Sequence, residues 1–147
     1  MIHIEIPGKP VPWSASQNQG KFHYDPKYKE KKTARIIVSS QYKDELIKEP
    51  IHVDFTFYFP IPKSASKKAK ALMLSGQKLP TGKPDTTNLQ KFYEDCLKDI
   101  VIYDDSYVTD VTSRKRYSDT PRIVITIVPI TEVKKDLIIN YHEEICR

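Results

Sequence analysis

The chain has 147 residues, of which 39% are hydrophobic, so its length and composition suit one domain with a proper core. It carries 24 lysines and arginines against 19 aspartates and glutamates, and the net charge of +5 favours phosphate-rich partners. The two cysteines have no metal-ligand spacing and no apolar run could span a bilayer, which excludes a zinc module, a disulfide scaffold and a membrane protein. We therefore expect a protein of the reducing cytoplasm.

The first half of the chain shows alternating strand and helix patterns. Residues 2–6 alternate isoleucine with polar side chains, as a short strand does, and a loop rich in Ser, Gln, Asn and Gly follows up to residue 20. Apolar residues at helical spacing predict a helix over residues 26–48, with Pro26 suited to its first turn. Residues 51–59 alternate strictly and predict a half-buried strand.

The second half begins with a long excursion between core elements. Residues 60–84 are rich in lysine and proline and predict a surface segment with a basic helix at residues 67–75. Residues 87–98 place one apolar stripe along a helix. Residues 107–117 and 122–128 predict two strands joined as an antiparallel hairpin.

The order of these elements predicts an α+β fold. A small mixed β-sheet packed with helices, in a single compact domain over residues 1–147, accommodates the order β, α, β, helical excursion, α, β, β, α. The last α is a C-terminal helix over residues 131–147, where apolar side chains recur at steps of four.

The residues best suited to catalysis lie in or beside the helix at residues 87–98. Asp85 precedes it, Lys91 lies one to two turns into it, and Asp104 and Asp105 follow it. Carboxylates on separate elements are the hard oxygen ligands that Mg²⁺ prefers, and a nearby lysine stabilises charge on a phosphodiester under attack. An ordinary structural role is also typical of each residue: a helix cap, a solvated lysine and an acidic turn. Spacing alone leaves both interpretations open.

At these residues the sequence resembles the RusA family of Holliday junction resolvases. The family segment Asp-x-Asp-Asn-Leu-x-Lys is matched by residues 85–91, except that Thr87 stands where the second Asp is usual. Asp95 matches an acid four residues after the lysine, and Asp104 and Asp105 match a later Asp-Asp pair. The resemblance covers most of residues 1–129, through further segments at residues 8–12, 60–68 and 115–122.

The resemblance implies a metal-dependent nuclease in which Asp85, Lys91 and Asp105 carry catalysis. The two carboxylates are expected to bind Mg²⁺, with Mn²⁺ as a possible substitute, and the lysine is expected to stabilise the transition state. Asn88 and Asp95 are expected to support this group.

Thr87 is the main departure from the family pattern. A threonine hydroxyl is a neutral, weak metal ligand, so the expected ligand set becomes Asp85, Asp105, Asp104 and Thr87. Two rival hypotheses stay open: a junction-binding protein that has lost cleavage, and a basic interaction module without nucleic-acid specificity.

The resemblance also implies a homodimer that nicks two opposed strands of a four-way DNA junction symmetrically, and it suits a bacterial or phage-encoded protein. Trp13, in the polar loop, is either a wedge for the junction or a cover over the core. A solvated surface is the alternative for the basic side chains expected to contact DNA. These are Lys63, Lys67, Lys68, Lys83, Arg114 and Arg116.

Overall fold

The computed structural model describes residues 1–131, so the predicted helix over residues 131–147 lies outside the described residues from position 132 onward. Within residues 1–131 the elements are, in chain order, β1 (Ile2–Pro7), β2 (Gln17–Gln19), β3 (Phe22–Tyr24), α1 (Tyr28–Gln41), β4 (Ile51–Pro60), α2 (Lys67–Leu74), α3 (Thr86–Leu97), β5 (Val108–Ser118) and β6 (Arg122–Pro129). None of these helices is long and apolar enough to cross a membrane.

The main sheet has four strands in the order β1-β6-β4-β5. Strand β4 pairs with β5 in parallel and with β6 antiparallel, and β6 pairs antiparallel with β1. The predicted α+β fold with a small mixed sheet is confirmed. The predicted hairpin of the last two strands is wrong, because β4 lies between them. The apolar β4 takes a central position with partners on both sides, whereas the polar β5 occupies an edge.

The core lies between the sheet and helices α1 and α3. The alternation predicted for β4 is confirmed, since Ile51, Val53, Phe55, Phe57 and Phe59 are all buried. The apolar stripe of α3 is buried as well, and each large side chain fully removed from water contributes about 1.5–3 kcal/mol. Burying that stripe fixes the rotation of α3 and leaves Thr87, Asn88 and Lys91 exposed.

Two local predictions in the first half of the chain were wrong. The helix predicted to reach residue 48 ends at Gln41, because the chain turns to pair with the segment after α3: the N–H of Ile47 donates to the carbonyl of Val101, and the N–H of Tyr103 donates to the carbonyl of Ile47. The loop predicted up to residue 20 contains β2, which pairs with β3 across a turn at Gly20 with φ +66°.

Candidate active site

Asp85 begins helix α3 and caps it with its own side chain. Its Oδ1 accepts a hydrogen bond of 2.9 Å from the backbone N–H of Asn88. The cap uses one carboxylate oxygen, so Oδ2 of the exposed Asp85 stays outside it. The structural role considered for this residue is therefore present, and it leaves a ligand oxygen at the helix N-terminus.

Lys115, on strand β5, holds the segment that leads into Asp85. Its Nζ donates to the carbonyl of Gly82 at 2.7 Å and to the carbonyl of Pro84 at 2.9 Å. Two hydrogen bonds from one ammonium tie this loop to the edge of the sheet. Lys115 belongs to a segment of the family resemblance, but this role was not predicted, because backbone carbonyl acceptors leave no residue pattern.

The polar face of α3 carries Thr87, Asn88 and Lys91, and all three are exposed. The spacing of Asn88, Lys91 and Asp95 predicts one polar strip outside the apolar stripe, and in the structure the first two are exposed and Asp95 is half-buried. Lys91 does not project freely into water: its Nζ lies 3.5 Å from the centroid of the Trp13 ring. The loop that carries Trp13 is in turn bonded to the helix, since the Trp13 N–H donates to the Asn88 carbonyl at 3.0 Å.

The acidic pair after α3 divides into two different environments. Asp104 caps a short 3₁₀ turn, Asp105–Tyr107, by accepting from the N–H of Ser106 at 3.3 Å, and it pairs with Lys98 at 3.3 Å. Hydrogen bonds from Ser106 and the ammonium of Lys98 lower the pKa of the Asp104 carboxyl. Asp105 is exposed. Of the pair, Asp104 is the one held by neighbouring side-chain and backbone donors.

Glu94 is a half-buried carboxylate that sequence analysis missed. Gln90 donates to it at 2.8 Å, and Gln90 in turn accepts from the hydroxyl of Ser113 on β5. Burial raises the pKa of the Glu94 carboxyl, and the negative charges of Asp105 and Asp95 raise it further, against the bond from Gln90. Asp105 is thus near the last turns of α3. Helical spacing could have placed Glu94 on the same face as Thr87, because residue 94 is two helical turns after residue 87. Its burial and its proximity to Asp105 could not be read from the spacing.

Asp95 contacts helix α1 near the C-terminal end of α3. The Asp95 carboxylate lies 3.6 Å from Nζ of Lys31, and Arg35 donates to the backbone carbonyls of Asp95 and Lys98 at 2.8 Å each. A groove of about 870 Å³ runs between α1 and the end of α3, and Asp95 lines it. Asp95 therefore anchors the helix to α1.

The basic residues proposed for DNA contact fall into two groups. The two arginines lie on β5: Arg114 forms a two-pronged pair with Asp54 at 2.6 and 2.9 Å and also bonds Thr56, whereas Arg116 donates to the carbonyl of Lys115. The lysines are more available to a partner, because every one of them is exposed on the segment between β4 and α3. These are Lys63, Lys67, Lys68 and Lys83.

The chemistry of these donors fits a divalent metal. Asp85 and Asp105 offer exposed carboxylate oxygens, which are the hard ligands that Mg²⁺ and Mn²⁺ take. Within residues 1–131, however, no three His, Cys, Asp or Glu side chains converge closely enough to hold an ion. Thr87 interrupts the set at the position where the family pattern has an acid.

Exposed carboxylates thus lie before and after α3, an exposed lysine lies on the helix itself, and the mixed sheet packs behind it. The family model described as endodeoxyribonuclease RusA matches residues 7–128, and the chain belongs to this family of endodeoxyribonucleases. It is also similar to a Bacillus subtilis (strain 168) protein named "Uncharacterized protein YqaN", with 37% identity over 134 residues that cover 86% of this chain and 94% of the relative. The family resemblance predicted from the sequence is confirmed.

Proposed function

We propose that this endonuclease resolves four-way DNA junctions by metal-dependent hydrolysis of phosphodiester bonds. The observation that carries the proposal is the arrangement on α3, where Asp85 caps the first turn and Lys91 lies exposed on the polar face of the same helix. A rigid helix keeps the carboxylate and the ammonium in a fixed relation, which is what a site that acts by positioning and electrostatics requires.

In this proposal Asp85 and Asp105 are the principal metal ligands, and Thr87 and Asp104 complete the set. A bound Mg²⁺ or Mn²⁺ supplies Lewis-acid stabilisation of the phosphate and a more acidic water. The ammonium of Lys91 stabilises the negative charge that develops on the phosphodiester. Asp104 would have to release Lys98 to contribute, because the two side chains are 3.3 Å apart.

Asn88 and Asp95 support the site through α3. The Asn88 N–H donates to the Asp85 carboxylate, and the Asn88 carbonyl accepts from the Trp13 N–H. Asn88 therefore joins the start of the helix to the loop beside Lys91. Asp95 fixes the other end of the helix to α1 through Lys31. Asn88 and Asp95 hold α3 in place, and Asp85, Lys91 and Asp105 are the residues proposed to act on the reacting phosphate.

DNA binding is assigned to the exposed lysines of the segment between β4 and α3. Arg114 and Arg116 can bind DNA only if they first break their present hydrogen bonds within the protein. Each lysine that neutralises a phosphate makes affinity more sensitive to salt. Two symmetric nicks require two sites in a fixed relation, so we infer a twofold homodimer acting in the bacterial cytoplasm, from a chromosomal or phage gene.

A second function, junction binding without cleavage, is favoured by one specific observation. The described residues 1–131 form no group of three metal-ligating side chains. Because Thr87 removes one negative charge from the family pattern, the site would bind a divalent metal weakly. Binding to the junction would not depend on that charge.

A gel assay with a synthetic four-way junction and a linear duplex of the same sequence separates these functions. We expect preferential binding of the junction and, with Mg²⁺ or Mn²⁺, symmetric nicks in opposed strands. Junction binding without nicks at any metal concentration would establish the second function. Equal affinity for junction and duplex, without cleavage, would leave only a basic interaction module.

The variant Lys91→Ala tests the site within the same assay. We expect it to abolish cleavage and leave junction affinity nearly unchanged, because its charge matters most in the transition state. A loss of affinity equal to the loss of rate would make Lys91 a phosphate-binding residue and would contradict its catalytic role.

A further inference from the structure

The contact between Lys91 and Trp13 is the tightest cation–ring contact within residues 1–131. The distance of 3.5 Å from Nζ to the ring centroid compares with 4.0 to 6.0 Å in the other such contacts. Indole has the strongest attraction for cations among the aromatic side chains. The catalytic lysine of the proposed mechanism therefore lies against the best available aromatic partner.

The position of the Trp13 ring is fixed by the loop that carries it. The Val11 N–H donates to the Tyr93 hydroxyl at 3.0 Å, and the Trp13 N–H donates to the Asn88 carbonyl at 3.0 Å. The Trp13 side chain is also partly buried against the hydrophobic core. The two hydrogen bonds to α3, on either side of Pro12, hold the loop backbone against the helix. The packing of the side chain against the core then holds the ring beside the helix.

We propose that Trp13 is the positioning residue for Lys91. Its ring holds the Lys91 ammonium where it can contact the phosphodiester as negative charge develops there. This inference rests on the proposed function. A lysine on an exposed helix face has many rotamers, and a ring fixed on one side of its ammonium removes most of them before the substrate arrives. The ring covers one side of the ammonium, which leaves N–H donors on the other side for a phosphate oxygen.

Positioning of Lys91 is a third role for Trp13, beside the wedge and the cover over the core. A wedge would need the ring to leave its contacts and enter the DNA, and a cover would need only an apolar side chain. Positioning by a cation–π contact needs the electron density of the ring itself. The three roles predict different responses to substitution.

The first test detects the contact without any reaction. Trp13 is the single tryptophan of the chain, so growth on 5-fluorotryptophan places one fluorine label at this position. We expect Lys91→Met to shift the ¹⁹F resonance and the tryptophan emission of the full-length protein. Lys29→Met, which removes an exposed lysine from α1, is the matched control and should leave both unchanged.

The second test measures the consequence for rate. Trp13→Leu keeps an apolar side chain and removes the π face, and we expect kcat on the junction to fall about 3- to 30-fold while KM stays within about twofold. Trp13→Phe should recover part of this loss. Tryptophans with one, two and three ring fluorines keep the fold and weaken cation binding stepwise, so kcat should fall with each fluorine.

The outcomes separate this inference from the proposed function. Unchanged spectra in Lys91→Met, or a kcat equal to that of wild type in Trp13→Leu, Trp13→Phe and the fluorinated proteins, would overturn the positioning role. A rise in KM without a change in kcat would assign the ring to DNA contact and would also overturn it. If the wild-type protein cleaves no junction, the proposed function fails, and the spectroscopic comparison of Lys91→Met with Lys29→Met still decides whether Trp13 holds Lys91.

Discussion

Asp85 combines a structural task with the proposed catalytic one, and two substitutions separate them. Asparagine caps helices as well as aspartate does, whereas alanine removes the 2.9 Å bond from the Asn88 N–H. Losing such a cap costs about 1 kcal/mol, which for a chain of this size lowers Tm by about 2–4 °C. Asp85→Asn loses only the attraction of the charge to the helix dipole, about 0.3–1 kcal/mol. We therefore expect Asp85→Ala to unfold about 2–4 °C below Asp85→Asn, while both abolish cleavage.

Thermal unfolding and junction cleavage, measured on the same preparations, test this expectation. Ser66→Ala is the matched control, since Ser66 caps α2 by accepting from the Ala69 N–H at 3.1 Å. It should lose a similar amount of stability and keep the wild-type kcat at saturating junction, because it changes no proposed metal ligand. Wild-type activity in Asp85→Asn would show that the charge is not needed for catalysis. Equal melting temperatures for the two Asp85 variants would refute the capping argument.

Three further predictions concern the surroundings of Asp85. Thr87→Asp should lower the Mg²⁺ concentration for half-maximal cleavage by about tenfold, because it restores a charged ligand, and Thr87→Asn should not; equal metal curves would show that Thr87 is already compensated. Lys115→Met should lower the free energy of unfolding in urea by about 1–2 kcal/mol, since the Gly82 and Pro84 carbonyls lose their donor; an unchanged midpoint would contradict this. The raised pKa of Glu94 means that the folded protein resists its ionisation, so stability present below about pH 4.5 is lost as pH rises through the raised pKa. Glu94→Gln should therefore match wild type in Tm near pH 4 and exceed it increasingly toward pH 7, and a constant difference would reject the argument.

Secondary structure followed from the sequence wherever periodicity was strong. The alternation of β4 and the apolar stripe of α3 predicted both elements and their buried faces, because burial imposes periods of 2 and 3.6 residues directly on the side chains. Strand pairing did not follow in the same way. Residues 107–117 and 122–128 are neighbours in sequence, and their short connection favoured direct pairing, yet β4 separates them in the sheet.

The candidate site could be predicted only in part, for a related reason. Asp85, Lys91 and Asp105 were proposed because they follow a linear family pattern, and their joint role stays a prediction. Glu94 and Lys115 were missed because their contribution depends on partners brought close by the fold: Asp105 for the first, and the carbonyls before Asp85 for the second. The role of Asp95 as a link to α1 likewise depends on a residue far along the chain.

The basic residues proposed for DNA contact show how much side-chain pairing limits prediction from charge alone. Lysines of the segment between β4 and α3 are exposed, as a count of charges would suggest. Arg114, by contrast, is bound to Asp54 and Thr56 on the neighbouring strand, and this pairing follows from the parallel register of β4 and β5. A basic side chain is therefore available to bind DNA only if it is not already paired with an acidic side chain of the protein.

The central claim is that one divalent metal joins Asp85 and Asp105 beside Lys91, and anomalous scattering from Mn²⁺ tests it most directly. Crystals of the protein should be grown or soaked with Mn²⁺, and diffraction recorded near the manganese edge. We predict one anomalous peak per chain, at about 2.1–2.3 Å from carboxylate oxygens of both Asp85 and Asp105. A saturated peak elsewhere on the protein, or one that touches neither carboxylate, would contradict the account.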